Sequence, residues 1–467
     1  MSRNKKLIKD TQIYAIAMFG PQLINFLLLP LFTSYFSTAE YGQWDLIVVT
    51  VSLLLPFISF EILTSVYRWL LEEKDFNKRK EIISTGFFYT IRNLTLFCFL
   101  AIFVMIYFNI EYQFLIIMMI IFNILNNFIQ KCARGLGLNK QFAILGITQT
   151  IVTLVTQMLC VFVFQIRIET FFIGAIVGNA SSFLLGCYML KFHQYLAINY
   201  FSKQLSESLL KYSIPIIPGA VSFWVMNSSD RFIISAFLGL SANGIYSVAN
   251  KLPVLINMVK SIFQLAWQDS AILSYKDQDR DQYYSEIFKR YFRFLMPSCT
   301  ILITLTPFLM KLIVADHFYI AWKYTAILFL GAVFLALSDF WGAAYHGSKN
   351  TKVILKTTLI GAMVNIIVNL LLIQLIGLYA AAISTVVGFF VMWLIRMKSK
   401  SKTFEIDIDK KDFIILFSIL VSFLILTYLE NVVINAVLVL MSLALFYLYN
   451  KDVLSKLFKF LVAKVKK

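Results

Sequence analysis

Four basic side chains, Arg92, Arg231, Lys251 and Lys260, fall inside long apolar stretches of this 467-residue chain. A cation at membrane depth costs at least about 2.5–3.5 kcal/mol on insertion scales, so each calls for an anion. Glu61, Asp230 and Asp339 are the acids placed to offset them, and they are also the candidates for coupling to an ion. Four cations against so few acids imply a net positive lining. Phosphate or pyrophosphate on a cargo would answer it, because Arg presents a bidentate fork and Lys a strong point charge. The ordinary alternative is that these side chains snorkel to the interface or pair within the protein.

Carboxamides accompany the charges at helical spacing. Asn250, Asn257, Lys260, Gln264 and Gln268 follow one another at intervals of seven, three, four and four, and Asn123, Asn127, Gln130 and Arg134 at four, three and four. Gln149, Thr153 and Thr156 form a third stripe, Asn365 and Asn369 a fourth. Amides on one face can hydrogen-bond a polar cargo, although they also glue helices together in lipid. Arg231 should lie roughly 10 Å below the outer end of its helix and Lys251 roughly 12 Å below the start of the next, hence at similar depth.

The elements that must position these residues are membrane spans. Apolar residues make up 60% of the chain and charged residues 14%, against about 45–50% and about 25% in soluble domains. A span needs about 20 apolar residues. On that basis the chain reads as an all-α polytopic membrane protein of about 14 helices, at roughly 12–36, 43–67, 83–108, 111–133, 142–165, 168–192, 210–238, 243–268, 289–314, 321–346, 352–375, 377–397, 412–429 and 431–450. Thirty-five of the 42 Lys and Arg residues fall in the two termini and the turns after even-numbered spans, Arg396 among them. The positive-inside rule then places both termini in the cytoplasm. The same distribution makes the net charge of +17 a topology signal and a contact to anionic headgroups, with no nucleic-acid partner. Five scattered cysteines without a CxxC pair and three separated histidines (His193, His317, His346) imply neither disulfides nor a metal site, and no cofactor.

An internal repeat organises the spans. Phe19-Gly20-Pro21-Gln22 and then Ser37 to Trp44 are echoed by Ile217-Pro218-Gly219-Ala220 and then Leu240 to Tyr246. The offset is an even number of spans, so the copies point the same way. Two parallel six-helix lobes around a central cavity are expected, with two further C-terminal helices, a transporter plan. The expected divisions are 1–192 for the first lobe, 193–209 for a cytoplasmic linker, 210–397 for the second lobe, and 398–467 for the last two spans and a basic tail.

Leu29-Pro30-Leu31-Phe32-Thr33-Ser34-Tyr35 leads into Glu40-Tyr41-Gly42, and Pro215-Ile216-Ile217-Pro218 precedes Asp230-Arg231-Phe232-Ile233-Ile234. Leu238-Gly239 runs into Gly244 to Leu252, and Asn365 to Leu370 into Gly377-Leu378-Tyr379-Ala380-Ala381-Ala382. In this order the motifs resemble the polysaccharide flippases, of the Wzx or O-antigen transporter type, in the multidrug/oligosaccharidyl-lipid/polysaccharide exporter superfamily. The resemblance implies a carrier, not an enzyme. Such a carrier moves a polyprenyl-pyrophosphate-linked oligosaccharide across a bacterial inner membrane by alternating access, for capsule or O-antigen synthesis. Its partners would be that lipid-linked substrate, membrane lipids and a polysaccharide polymerase. Arg231, Lys251, Lys260, Arg92, Asn250, Asn257, Gln264, Asn123 and Asn127 would receive the headgroup, with Trp224, Trp267 or Tyr246 as stacking platforms. A lipid II flippase has the same charge logic. A multidrug or cation exporter would want acids where this chain has bases. A membrane glycosyltransferase needs outer loops longer than these.

Overall fold

The computed structural model describes residues 26–399 and 404–465. The beginning of the first expected span, with Phe19 to Gln22 of the repeat, lies outside the described residues, as does the stretch 400–403. The described chain is helical, in two compact units divided between Trp224 and Val225.

The first unit contains α1 (Leu29–Tyr35), α2 (Thr38–Ser59), α3 (Ile62–Glu72), α4 (Phe76–Tyr107), α5 (Gln113–Gly135), α6 (Asn139–Phe162), α7 (Glu169–Met189) and α8 (Lys203–Ser213). The helix α9 (Ile217–Leu238) carries the chain into the second unit, which continues with α10 (Leu240–Ala249), α11 (Pro253–Leu273), α12 (Arg280–Ile313), α13 (Ala321–Gly347), α14 (Thr351–Ile376), α15 (Leu378–Lys398), α16 (Lys410–Thr427) and α17 (Val432–Val465). Among the described residues, eleven helices are long and apolar enough to cross a membrane. Large apolar side chains stand exposed along them, such as Phe99, Phe103 and Tyr107 on α4, the surface that lipid would cover.

Two expected spans are broken. The second is interrupted at Phe60 and Glu61, both left-handed with φ of 47° and 53°, so α2 ends and α3 starts in a new direction. The eighth is interrupted at Asn250 to Leu252, just before Pro253 at the start of α11. Proline has no N–H to give and its ring obstructs the preceding turn. The stripe from Asn250 to Gln268 is therefore not one continuous face, because Asn250 caps α10 while the other residues ride on α11.

Local chemistry fixes the joints. Ser37 and Glu40 form a reciprocal capping box at the start of α2. The Arg167 guanidinium reaches across with Nε and Nη2 to the two Glu40 carboxylate oxygens at 2.9 and 2.7 Å. The stretch 193–209 is held against the first unit by side-chain hydroxyls of α3 and α4. Ser84 Oγ donates to the Tyr195 carbonyl and accepts from Ala197 N–H, Thr85 Oγ1 accepts from Ser202 N–H, and Ser65 Oγ donates to the Leu209 carbonyl.

In the second unit α13 is the central helix, with Trp322, Phe329, Phe340, Trp341 and Tyr345 fully buried and α10, α11, α12 and α15 packed around it. The pair α14–α15 closes through two glycines: a Cβ on Gly361 would lie 3.0 Å from the Gly388 carbonyl, and the reverse holds as well. In the first unit α7 meets α6 at Gly178, where an added Cβ would fall 1.9 Å from Thr153 Oγ1.

That contact predicts a measurable loss. Gly178→Val should lower the thermal midpoint in detergent by an amount equivalent to about 1–3 kcal/mol of overpacking. Gly219→Ala, where nothing lies within 4 Å of the added Cβ, should keep or raise it. A Gly178→Val protein melting with the wild type would contradict the close α6–α7 packing.

Candidate functional site

The charged pair Asp230–Arg231 lies on α9, whose apolar composition carries both side chains into the second unit. Asp230 is 2% exposed and Arg231 8%. A carboxylate so buried must be surrounded by donors. Its Oδ2 accepts from Tyr246 Oη at 2.9 Å and Thr385 Oγ1 at 2.8 Å, and its Oδ1 from Asn369 Nδ2 at 3.1 Å. With its amide turned to donate, Asn365 adds a fourth contact at 3.3 Å. Four helices thus converge on one carboxylate: α9, α10 through Tyr246, α14 through the two asparagines, and α15 through Thr385.

Arg231 lies alongside, with its guanidinium 5.2 Å from the Tyr246 ring centre and Nη1 donating to the Asn227 carbonyl at 3.0 Å. Tyr246 also joins the acid to the broken span. Its hydroxyl donates to Asp230, while its own carbonyl accepts from Asn250 Nδ2 at 2.8 Å. Lys251, part-buried, is in the break itself. Asp230, Arg231, Asn250, Asn257, Pro253 and Thr385 line a cavity of about 50 Å³ together with apolar side chains of α13 and α15. One water needs ~10–15 Å³ of such space, so the cavity takes a few waters or a small ion and not an oligosaccharide headgroup. Two acceptor oxygens in this region, Asn257 Oδ1 and Asn369 Oδ1, are buried with no donor among the described residues.

The remaining expected residues fall into other settings. Lys260 Nζ is 2.8 Å from Asp339 Oδ2, and Arg396 Nη1 is 3.8 Å from Asp339 Oδ1. Gln264 donates to the Asp339 carbonyl at 2.9 Å and Trp267 Nε1 to that of Phe340 at 3.0 Å. The polar face of α11 below the break is therefore a seam onto α13. Arg396, counted from sequence among the turn residues, is instead 3% exposed. It is held by Thr357 Oγ1, the Ser338 carbonyl and Thr358 Oγ1 at 2.9, 2.9 and 3.0 Å. Sequence reasoning missed it because it sits one turn from the end of an apolar span, next to further basic residues.

In the first unit, Asn127 donates to the Asn123 side chain and carbonyl at 2.8 and 3.0 Å, a pairing within α5. The buried amide cluster is built from Asn126, Gln130, Gln149 and Asn179, which tie α5, α6 and α7 together at 2.9 to 3.3 Å. Asn126 and Asn179 were not singled out from sequence, although an Asn flanked by apolar residues was the available signal. Arg92 is exposed, 4.2 Å from the Tyr89 ring centre. Glu61 is part-buried at the α2–α3 break and accepts from Thr64 Oγ1 at 2.8 Å. Tyr246 and Trp267, expected as sugar platforms, are 0% and 2% exposed and belong to the core; Trp224 is part-buried, with its indole N–H on the Val49 carbonyl at 2.9 Å.

Arg396→Met should destabilise the second unit by on the order of 3 kcal/mol, since it leaves Asp339 short of a partner and three acceptors unmet. Arg396→Lys should not restore it, because an ammonium cannot reproduce the planar fork. Thermal melting of the two variants checks this, and wild-type midpoints for both would refute the buried assignment.

A 22% identical membrane protein of Methanocaldococcus jannaschii, described as uncharacterized, aligns with 98% of this chain and 100% of its own length. Among solved structures, the lipid II flippase MurJ in an inward closed conformation superposes with a TM-score of 0.71 at 16% identity, covering 95% of this chain and 99% of that one. An inward-facing multidrug resistance MATE family transporter of the MOP superfamily superposes with a TM-score of 0.64 at 12% identity, covering 82% of this chain and 96% of that one. These likenesses show a shared fold. The family model described as polysaccharide biosynthesis protein matches residues 7–267, more than half of the sequence and including Asp230, Arg231 and the broken span. The chain is a member of the polysaccharide biosynthesis protein family, built on the fold of the MOP superfamily.

Proposed function

We propose that the protein is a flippase for a polyprenyl-pyrophosphate-linked oligosaccharide, acting in surface polysaccharide synthesis at a bacterial inner membrane with both termini cytoplasmic. The observation that carries this reading is Arg231, buried in an apolar span, next to a break that carries Lys251. Family membership supports a role in polysaccharide synthesis, and a polymer-forming pathway needs a carrier for its charged lipid-linked units. Arg231 and Lys251 supply the positive charge that a pyrophosphate would meet; Asn250 and Asn257 supply amides for its sugar. Lys260 and Gln264 are engaged with α13 in this conformation, so their assignment to the headgroup requires a rearrangement, whereas Asn123 and Asn127 pair within α5 on a face where Asn127 is exposed.

The cavity at Asp230 has room for a few waters, and the headgroup would need a more open packing. This fits alternating access, in which this conformation is one state of the cycle. Asp230 is the foremost coupling candidate of the three acids, since Asp339 is engaged by two cations and Glu61 lies at a helix break. With Asn369 Oδ1 left without a donor among the described residues, a proton or a small monovalent cation on Asp230 would loosen Tyr246 and hence the Asn250 cap. A polysaccharide polymerase would consume the translocated units.

Arg231→Ala and Lys251→Ala should abolish surface polysaccharide in a deletion strain while the proteins remain inserted at wild-type levels, as read by membrane immunoblot and polymer staining. Asp230→Asn should leave binding in place and slow turnover. Normal polymer in the Arg231→Ala and Lys251→Ala strains would overturn the cargo assignment.

A further inference from the structure

The stretch 404–409, which leads into α16, lies along α12 in register. Glu405 N–H donates to Asp281 Oδ1 at 3.0 Å and Asp407 N–H to Ser285 Oγ at 2.8 Å. Lys289 Nζ then meets Asp409 Oδ2 at 2.8 Å, and Arg293 Nε donates to Asp412 Oδ2 at 2.6 Å. The α12 partners recur every four residues, about 6 Å of helix. The first three residues facing them recur every two, about 6.6 Å of extended chain. The two spacings agree, so the rungs form together. Asp409 is also the N-cap of α16, accepting from Asp412 N–H, so the register decides where α16 begins.

At the head of this strap Phe404 is 1% exposed, its ring centre 6.1 Å from that of Tyr284 on α12 and 5.1 Å from that of Tyr345 on α13. Both tyrosines hold helix ends. Tyr284 Oη donates to the Ala271 carbonyl in the last turn of α11, and Tyr345 Oη to the Arg396 carbonyl near the end of α15 at 2.8 Å. Ser270 Oγ and Tyr283 Oη, 2.7 Å apart, add a second tie between α11 and α12. Phe404 therefore backs the tyrosine that holds the end of α11 far from the break. The charged rungs are 16–42% exposed. Ion pairs in such settings are weak and screened by salt, and water takes over when one parts.

We propose that residues 404–412 are a releasable latch on α11. While the rungs are made, Phe404 keeps Tyr284 on the Ala271 carbonyl, and α11 stays seated on α13 through Lys260 and Gln264. When the rungs part, Phe404 leaves its aromatic seat and the far end of α11 is free to move from α13. That is the movement Lys260 and Gln264 need before they can reach a headgroup. The latch's place in transport rests on the alternating-access reading above, whereas its opening is testable without any cargo.

Hydrogen exchange on the full-length protein in nanodiscs tests this, with Ser285→Cys and Asp407→Cys placed in a background whose five native cysteines are replaced. The contact between Asp407 N–H and Ser285 Oγ puts the two positions within disulfide reach. Oxidation should slow exchange at residues 264–273 roughly tenfold relative to the reduced form of the same protein, and leave α14 unchanged. Lys289→Gln combined with Arg293→Gln, in the wild-type background, should speed it roughly fivefold. Equal exchange in the oxidised and reduced forms would overturn the proposal, because a tie that never opens gains nothing from being locked. Unchanged exchange in the Lys289→Gln, Arg293→Gln protein would overturn it as well. Should polyprenyl pyrophosphate bind neither form while exchange still follows the disulfide, the cargo assignment fails and the latch stands.

Discussion

A carboxylate and a guanidinium, adjacent on α9 and nearly sealed from solvent, set the terms for the second unit. Asp230 is nearly sealed from bulk solvent, so the protein has to gather donors around it. It does so from α10, α14 and α15 at once, through Tyr246, Asn369, Asn365 and Thr385. The approach of α14 to α15 through Gly361 and Gly388 brings Asn365 and Thr385 within reach. Those glycines, which look featureless in an apolar sequence, serve the acid as much as the packing.

Tyr246 makes that cluster more than a static knot. Its hydroxyl reports on Asp230, and its carbonyl receives the Asn250 side chain that caps α10 at the break. Neutralising or moving the carboxylate would therefore be felt first where the backbone is already interrupted. Pro253 keeps α10 and α11 from fusing into one rod, and a rod would pass no such signal. The seam below the break, where Lys260, Gln264 and Trp267 engage α13, then holds the remainder of α11 in place.

Much of this was legible in the sequence, and the failures have physical causes. Apolar run length located the helices, because lipid thickness is written locally. Charge in an apolar run singled out Arg231 and Asp230, but not that Tyr246, Asn369 and Thr385 would converge on the acid. The breaks at Phe60–Glu61 and Asn250–Leu252 were not foreseen: the two left-handed residues are not glycines, and Pro253 could also have been absorbed as a kink. Periodicity gave the face that carries Asn123 and Asn127 but not that they would bond to each other within α5. Arg396 was lost for a similar reason. A basic residue one turn from the end of a span reads as a turn residue unless the acceptors on α13 and α14 are known.

The central claim is that buried positive charge on α9 and at the α10–α11 break receives a negatively charged lipid headgroup. It is tested most directly by binding of a polyprenyl pyrophosphate to the purified protein and to its Arg231→Ala and Lys251→Ala forms, across a range of ionic strengths. The account expects saturable binding to wild type that weakens with salt and is lost in both variants while each remains folded and monodisperse at the assay temperature. Binding that is equally tight in all three proteins would contradict it.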